Sequence, residues 1–184
     1  MTRAEQKPRL RVSLTVMLLA GAAVAVTLGV VGSVGGAPRE LPVVWFSSVQ
    51  SLKAWSATII LVLVLAQLAT ALWMYGRIPG AGAAPSWVPS VHRLTGTVAF
   101  LSSLPLAFYC LYGFGFDTSS PRTLAHSAAG CLFYGAFTAK MLGIRSRRLP
   151  GWGIAVLGGT VFTLFVVLWA LSALWWFDAA GFDR

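Results

Sequence analysis

The stretch TLAHSAAGCLFYGAFTAKMLG, residues 123–143, is an apolar run long enough to cross a membrane, and it contains one of the two histidines of the chain. A helix of about 20 apolar residues spans a hydrocarbon core roughly 30 Å thick. A titratable side chain inside such a helix is costly to bury unless it has a partner. The position of His126 within this run therefore makes it the first candidate for a functional residue.

Four further apolar runs of similar length occupy most of the remaining chain. We place the five spans at about residues 12–32, 54–75, 92–116, 124–144 and 153–177. The runs are continuous rather than alternating, which favours helices over the strands of a barrel. The connections are short, and a mean hydropathy of +0.77 is far from that of a soluble domain. The sequence therefore predicts an all-α, polytopic bundle of five transmembrane helices, with residues 1–184 forming a single integral membrane domain.

The first span follows a basic segment, as the apolar core of a secretory signal peptide also does. Its apolar run is longer than the usual 7–15 residues of such a core, and no clear small-x-small cleavage site follows it. We therefore expect a retained helix. Small residues give this helix a face for close packing: Gly21, Ala25, Gly29 and Gly32.

The distribution of cations predicts the orientation of the bundle, because cytoplasmic loops carry an excess of Lys and Arg. With the N-terminus inside, the cytoplasmic ends hold Arg3, Lys7, Arg9, Arg11, Arg77, Arg93, Arg145, Arg147 and Arg148. The outer ends hold Arg39, Lys53, Arg122 and Arg184. Lys140 lies inside the fourth span, within reach of the cytoplasmic face. We therefore expect a multi-pass protein of the cytoplasmic membrane with its N-terminus in and its C-terminus out.

The net charge of +9 follows from the same distribution. The cations are spread over the segments that flank the spans and do not form one basic face. A cluster such as RSRR at residues 145–148 is typical of a topology signal that contacts anionic lipid. We therefore expect the lipid bilayer as a partner and no nucleic acid.

The two histidines fall at opposite ends of neighbouring spans. His92 opens the third span at the cytoplasmic surface beside Arg93, where water and headgroups can satisfy an imidazole. His126 lies one turn into the fourth span at the outer surface. About 20 residues of helix separate their depths, which is on the order of 25–30 Å. They cannot ligate one haem within a subunit, and neither has nearby Cys, Asp or Glu at zinc-ligand spacing.

A different residue reaches the depth of His126 when the third and fourth spans fold as a hairpin. That residue is Tyr109, and two hypotheses follow. In the first, the phenol and the imidazole satisfy each other by a hydrogen bond. In the second, His126 is the axial iron ligand of a haem b, with Tyr109 near or on the other face of the iron. The stripe of His126, Gly130, Phe133 and Phe137 suits either a porphyrin or ordinary helix packing.

The other polar groups inside the spans indicate structural roles. Cys110 and Cys131 are predicted to be small unpaired residues rather than a disulfide, because the hairpin places them at different depths. Gln67 and Thr70 are predicted to hydrogen-bond between helices. The sequence contains no Ser/His/Asp arrangement, phosphate-binding loop or carboxylate pair, so its motifs do not indicate a particular enzymatic reaction.

Several short motifs in spans three to five carry a resemblance to a known family. They are His92–Arg93 with Gly96, Leu104–Pro105, Cys110–Leu111 with Gly115–Phe116, His126–Ser127 with Gly130, Tyr134–Gly135–Ala136–Phe137 with Lys140, and Leu149–Pro150–Gly151–Trp152. In these motifs the chain resembles an uncharacterised family of actinobacterial multi-pass membrane proteins. Relatives there often carry histidine at the position of Tyr109, which implies a pair of haem-binding histidines in those relatives, and this chain departs from that pattern.

The segments HRLTG and HSAAG, which begin at His92 and His126, are also loosely similar to histidine motifs of b561-type cytochromes. That family binds two haems with four histidines, and this chain has only two. The similarity implies a b561-like haem-binding redox subunit or accessory, with His126 and Tyr109 at the haem site and with other membrane or redox subunits as partners. The alternative is a cofactor-free structural or assembly subunit of a larger membrane complex. The redox partner, the substrate and the oligomeric state stay open.

Overall fold

A computed structural model describes residues 13–35, 41–43, 45–146 and 149–182, and within these ranges the chain is helical with no strand. The five long helices are α1 (Leu14–Val34), α2 (Val49–Met74), α3 (Val88–Phe108), α4 (Pro121–Arg145) and α5 (Gly151–Trp169). Two of them continue as π-helix, α3 over Tyr109–Phe114 and α5 over Ala170–Leu174. A short helix, α6 (Trp175–Ala180), ends the described chain.

Every predicted span is found as a helix, with ends that differ from the prediction by a few residues. The helices α2, α3 and α4 begin at Val49, Val88 and Pro121 rather than at residues 54, 92 and 124, and the starts of α2 and α4 have a common cause. In both cases the serine before the helix is an N-cap, whose hydroxyl accepts the N–H three residues on, at 3.0 Å and 3.2 Å. These caps satisfy N–H groups that the helix itself leaves unpaired, so the polar turn before each apolar run is already helical.

Four of the five helices are long and apolar enough to cross a membrane: α1, α2, α3 with its π-helical continuation, and α5 with its continuation to Ala180. The exception, α4, is 25 residues long but falls short in hydropathy. It also has more buried residues than any other helix, five against at most three. Because α4 packs against both α1 and α5, part of its surface contacts protein and does not need to be apolar.

The predicted orientation rests partly on cations that lie outside the described residues. The cations concerned are Arg3, Lys7, Arg9, Arg11, Arg39, Arg147, Arg148 and Arg184. We therefore name the two ends of the bundle by residues that the structure describes. The end with the α3–α4 turn is called the Asp117 end, and the end with the α2–α3 connection is called the Arg77 end.

The helices pack around α4, with α1 on one side and α5 on another, while α3 packs chiefly on α2. The α1–α4 contact is the closest, because a Cβ at Gly21 would lie 2.6 Å from the carbonyl oxygen of Gly135. This confirms the close-packing face expected on the first span. By contrast, α3 and α4 are consecutive but do not form the tight hairpin assumed from the sequence. Side chains, rather than adjacent backbones, connect them.

The Asp117 end is tied together by backbone hydrogen bonds. The N–H of Phe116 donates to the carbonyl of Gly32 at 2.9 Å, which joins the end of α3 to the end of α1. The preceding residue, Gly115, has a φ of 70°. It also lies so near α1 that a Cβ would be 2.9 Å from the same carbonyl. Only glycine meets both requirements without strain.

Candidate functional site

A cavity of about 460 Å³ lies between α3, α4 and α5 in the half of the bundle nearer the Asp117 end. Residues of α1 and α2 complete its wall. Its volume falls in the range of about 300–1,000 Å³ that is usual for small-molecule and cofactor sites. The cavity exists because α3 and α4 diverge here, and it is the candidate functional site.

Two side-chain contacts between α3 and α4 close the cavity toward the Arg77 end. The hydroxyl of Tyr134 donates to the carbonyl oxygen and Oγ of Ser103, at 2.9 Å and 3.0 Å. One helical turn farther along, the rings of Phe100 and Phe137 stack with centroids 4.0 Å apart and planes 6° apart. Because side chains fill the gap at these contacts, the backbones of α3 and α4 stay well apart. The space between the two helices is therefore open on the Asp117 side of the contacts.

The walls of the cavity are mainly apolar and aromatic. Phe133 and Phe165 are buried, and their ring centroids are 5.8 Å apart. Trp169 lines the cavity beside them, and its Nε1–H donates to Thr58 Oγ1 at 2.9 Å, which fixes the indole. A site with such walls and a few polar groups favours a largely apolar ligand.

His126 lies on the cavity wall, one turn from the start of α4. Its imidazole lies near the backbone of Leu168 on α5. The ring nitrogen Nδ1 is buried and has no partner among the described residues. An unpaired buried polar atom costs about 1–3 kcal/mol. His126 is therefore an imidazole on the cavity wall with one buried ring nitrogen that no described residue satisfies.

Tyr109 does not share this site. Its hydroxyl donates to the carbonyl of Pro42 at 2.7 Å, and its side chain is not part of the cavity wall. The hydrogen bond predicted between Tyr109 and His126 is therefore wrong. Depth along the helix axes puts the two residues level, but rotation about those axes turns the Tyr109 side chain toward Pro42. The next residue, Cys110, faces the cavity, and one residue of helix corresponds to a turn of about 100°.

Two cations stand at the rim of the cavity. The ammonium of Lys53 lies 4.2 Å from the centroid of the Phe114 ring. The guanidinium of Arg122 lies 3.7 Å from the centroid of the Trp175 ring and donates to the carbonyl of Leu171 at 2.7 Å. Sequence reasoning counted both residues only as charges flanking the spans. The spacing of Arg122 and His126, four residues apart on one helix face, is the signal that could have placed Arg122 at the site.

Asp117 is the one carboxylate among the described lining residues, and it stabilises the α3–α4 turn. Its Oδ1 accepts the N–H of Ser119 at 2.7 Å, and its own N–H donates to Ser127 Oγ at 3.1 Å. The hydrogen bond from the Ser119 backbone holds the pKa of the Asp117 carboxyl below its usual value. In the part of the chain that the structure describes, Asp117 forms no ion pair with Lys53 or Arg122.

The remaining predicted features divide between the cavity and the helix contacts. His126, Gly130 and Phe133 of the α4 stripe line the cavity, whereas Phe137 belongs to the stacked pair with Phe100. Cys110 and Cys131 are free, half-buried thiols that line the cavity from α3 and α4. Sequence reasoning did not connect them with the site.

The other histidine takes part in a separate polar network between α2 and α3. Nδ1 of His92 lies 2.8 Å from Thr70 Oγ1. Nε2 of Gln67 donates to the His92 carbonyl and to Thr95 Oγ1, both at 2.5 Å. The predicted interhelical hydrogen bonds of Gln67 and Thr70 are confirmed. His92 finds its partner in the protein, whereas the sequence predicted water and headgroups.

The described residues contain no group of three or more His, Cys, Asp or Glu side chains that could hold a metal ion. This does not test a haem site, because the porphyrin supplies the equatorial ligands and the protein supplies only axial ones. The relevant observation is the single imidazole of His126 beside a cavity of cofactor size.

A family match relates this chain to known proteins. No curated protein and no solved structure matches it. The model of the family of unknown function DUF6529 matches residues 14–184, which is nearly the whole chain. The chain therefore belongs to DUF6529.

Proposed function

We propose that this protein is a haem-b-binding membrane protein with a role in electron transfer, and that His126 is the axial ligand of the iron. The observation that carries the proposal is that the His126 side chain lines the cavity and that its buried Nδ1 has no partner among the described residues. A metal-bound histidine usually has its second ring nitrogen held by a backbone carbonyl or a carboxylate. The backbone of Leu168 lies near the imidazole and could take that role, and Nδ1 has no partner among the described residues.

The lining of the cavity also supports a flat aromatic ligand. Gly130 lies one turn from His126, and a Cβ there would meet only Leu168 Cδ2 at 3.8 Å. Phe133, Phe165 and Trp169 supply aromatic surfaces against which a porphyrin can pack. When bound, haem b supplies one-electron chemistry, and the protein residues bind it, orient it and exclude water.

The proposed site differs from that of b561-type cytochromes in its number of histidines. His92 is bonded to Thr70 and lies outside the cavity wall, so this chain offers the iron one histidine. We therefore expect a five-coordinate, high-spin spectrum rather than the low-spin spectrum of a bis-histidine haem.

The visible spectrum of the purified protein tests the proposal. Wild type should show a Soret band and an α-band that appears on reduction with dithionite. His126→Ala should lose these bands, because the iron loses its protein ligand. His92→Gln is the matched control: it changes the only other histidine, keeps a hydrogen-bonding group for Thr70, and should leave the spectrum unchanged.

Two results would overturn the proposal. One is a haem spectrum that survives His126→Ala in a protein that is still folded. The other is a wild-type protein that shows no bands even after titration with ferric protoporphyrin IX. The second result would favour the alternative, a cofactor-free structural or assembly subunit of a membrane complex.

Substitutions at two adjacent positions of α3 test the placement of the ligand. Tyr109→His should leave the spectrum high-spin, since this side chain points to Pro42. Cys110→His should shift it toward a low-spin, six-coordinate form, since Cys110 faces the cavity. The reverse pattern would mean that Tyr109, not Cys110, faces the iron.

The orientation and the membrane belong to the same proposal. We propose that the protein resides in the cytoplasmic membrane with the Arg77 end inside and the Asp117 end outside, so that the haem lies in the outer half. The excess of cations near the Arg77 end supports this orientation. A reporter that needs the cytoplasm should be active when fused after Arg148 and inactive when fused after Ser120. The opposite result would reverse the two ends.

A further inference from the structure

We infer that Lys53 and Arg122 bind the propionate carboxylates of the haem and so fix its carboxylate edge at the Asp117 end. This inference rests on the proposed function. It gives a reason for two cations at the cavity rim, which binding of the iron by His126 does not explain. Both side chains line the same cavity as His126, and both are half-buried.

Arg122 is held in place but keeps most of its donors unused. Its guanidinium stacks on Trp175 at 3.7 Å and donates one hydrogen bond, from Nη1 to the carbonyl of Leu171. A guanidinium has five N–H donors, so several can still bind a carboxylate. Arg122 precedes His126 by about one helical turn, or roughly 6 Å along α4, and lies on the Asp117 side of it.

Lys53 reaches the rim from α2, another wall of the cavity. Its ammonium lies over the Phe114 ring at 4.2 Å and has no hydrogen-bond acceptor among the described residues. A half-buried ammonium with three free donors gains from an anionic partner, since its own charge is partly removed from water. The ring of Phe114 compensates only part of that loss.

The charge balance at the rim favours an anion. Asp117 is the one acidic lining residue in the described ranges, and its Oδ1 already accepts the N–H of Ser119. The polar end of this otherwise apolar cavity therefore carries two positive charges and one negative charge, and the one carboxylate already accepts a hydrogen bond from the protein. Haem b has its two propionates on one edge of a flat apolar ring. Its anionic edge would therefore face the two cations, and its apolar part would fill the apolar cavity.

A titration with two porphyrins tests the assignment. Ferric protoporphyrin IX and its dimethyl ester share the ring and the iron, but only the first carries carboxylates. Wild type should bind the free acid more tightly. In Lys53→Gln and in Arg122→Gln the ratio of the two affinities should fall about tenfold, as expected when a hydrogen bond to a charged group is lost. Arg93→Gln, an exposed arginine at the Arg77 end, is the control and should leave the ratio unchanged.

The ratio distinguishes the possible failures. If Arg122→Gln is poorly folded because it loses its contacts with Leu171 and Trp175, Lys53→Gln carries the test alone. Equal affinities for the two porphyrins in wild type, or an unchanged ratio in Lys53→Gln, would overturn this inference and leave the haem site itself in place. Loss of a co-purified anionic phospholipid from the variants, with an unchanged ratio, would also overturn it and assign the cations to a lipid phosphate. Failure of wild type to bind either porphyrin would overturn the proposed function.

Discussion

The two sides of α4 show how one helix can form both a very close contact and a wide gap in the same bundle. Toward α1, the backbones of Gly21 and Gly135 approach so closely that neither position has room for a Cβ. Toward α3, the contacts are made by large side chains, and a cavity of about 460 Å³ lies beyond them. The residues that face each side differ mainly in size, so side-chain size sets the helix separation.

The difference assigns separate roles to the two sides. Without a hydrophobic force between helices in lipid, small residues that allow close packing are a main source of association. The α1 side therefore holds the bundle together. The side that faces the cavity contains His126 and Arg122, and it holds the space that a ligand needs. Substitutions on the α1 side should then affect stability, and substitutions on the α3 side should affect binding.

The largest effect is expected at the α1 contact. In Gly135→Ala the new Cβ would lie 2.5 Å from the carbonyl oxygen of Gly21, so the helices must separate. We expect a loss of about 1–3 kcal/mol in stability, as for other overpacked sites. Thermal unfolding in detergent, followed by tryptophan fluorescence, measures it.

Gly158→Ala is the matched control, because a Cβ at Gly158 meets nothing within 4 Å. This variant should be unchanged, or stabilised by up to about 1 kcal/mol through the higher helix propensity of alanine. Similar unfolding midpoints for the two variants would show that the close contact between α1 and α4 does not hold the bundle together.

An intermediate effect is expected at the base of the cavity. Tyr134→Phe removes the hydroxyl that donates to Ser103 on α3. Hydrogen bonds between membrane helices contribute about 0.6 kcal/mol on average, and up to roughly 1.7 kcal/mol. We expect a destabilisation of that size in the same unfolding measurement. Tyr112→Phe is the control, since that exposed tyrosine forms no hydrogen bond among the described residues, and a loss of equal size there would contradict the role of Tyr134.

The smallest effect on stability is expected on the cavity wall. In Gly130→Ala the new methyl group would meet only Leu168 Cδ2, at 3.8 Å. The unfolding midpoint should change little, although this glycine lies on the same helix as Gly135. The variant should, however, weaken porphyrin binding in the titration described above, because the methyl group occupies ligand space. A destabilisation as large as that of Gly135→Ala would mean that this side of α4 is packed as tightly as the other.

The prediction of the helices from the sequence succeeded because hydropathy in a membrane protein reflects local chain properties. Each apolar run became a helix, and the small residues of the first span became its packing face, as Gly21 shows. The helix starts were missed by a few residues because Ser48 and Ser120 extend α2 and α4 into polar turns. Gln67 was assigned correctly as an interhelical donor, since a polar side chain in mid-span needs a partner and few are within reach.

The site was predicted only in part. His126 could be identified from the sequence, because a lone imidazole in an apolar run is rare and costly. Its neighbours could not, since they come from five helices whose rotations and separations no local pattern encodes. Depth along the helix points to Tyr109, whereas Cys110, one residue on, is the one that faces the cavity. Lys53 and Arg122 were counted as topology signals because the sequence does not show that their helices meet.

The sequence by itself determined the number of helices, their approximate ends and the one imidazole that needs a partner. These follow from the length of apolar runs and from the cost of burying a polar group, both of which are properties of single segments. Only the tertiary structure decided that α4 packs on α1 and α5, that α3 stands apart from it, and that the resulting space has cations at one end. Those facts depend on which side chains are large and small at each contact between two helices, and such contacts exist only once the helices have assembled.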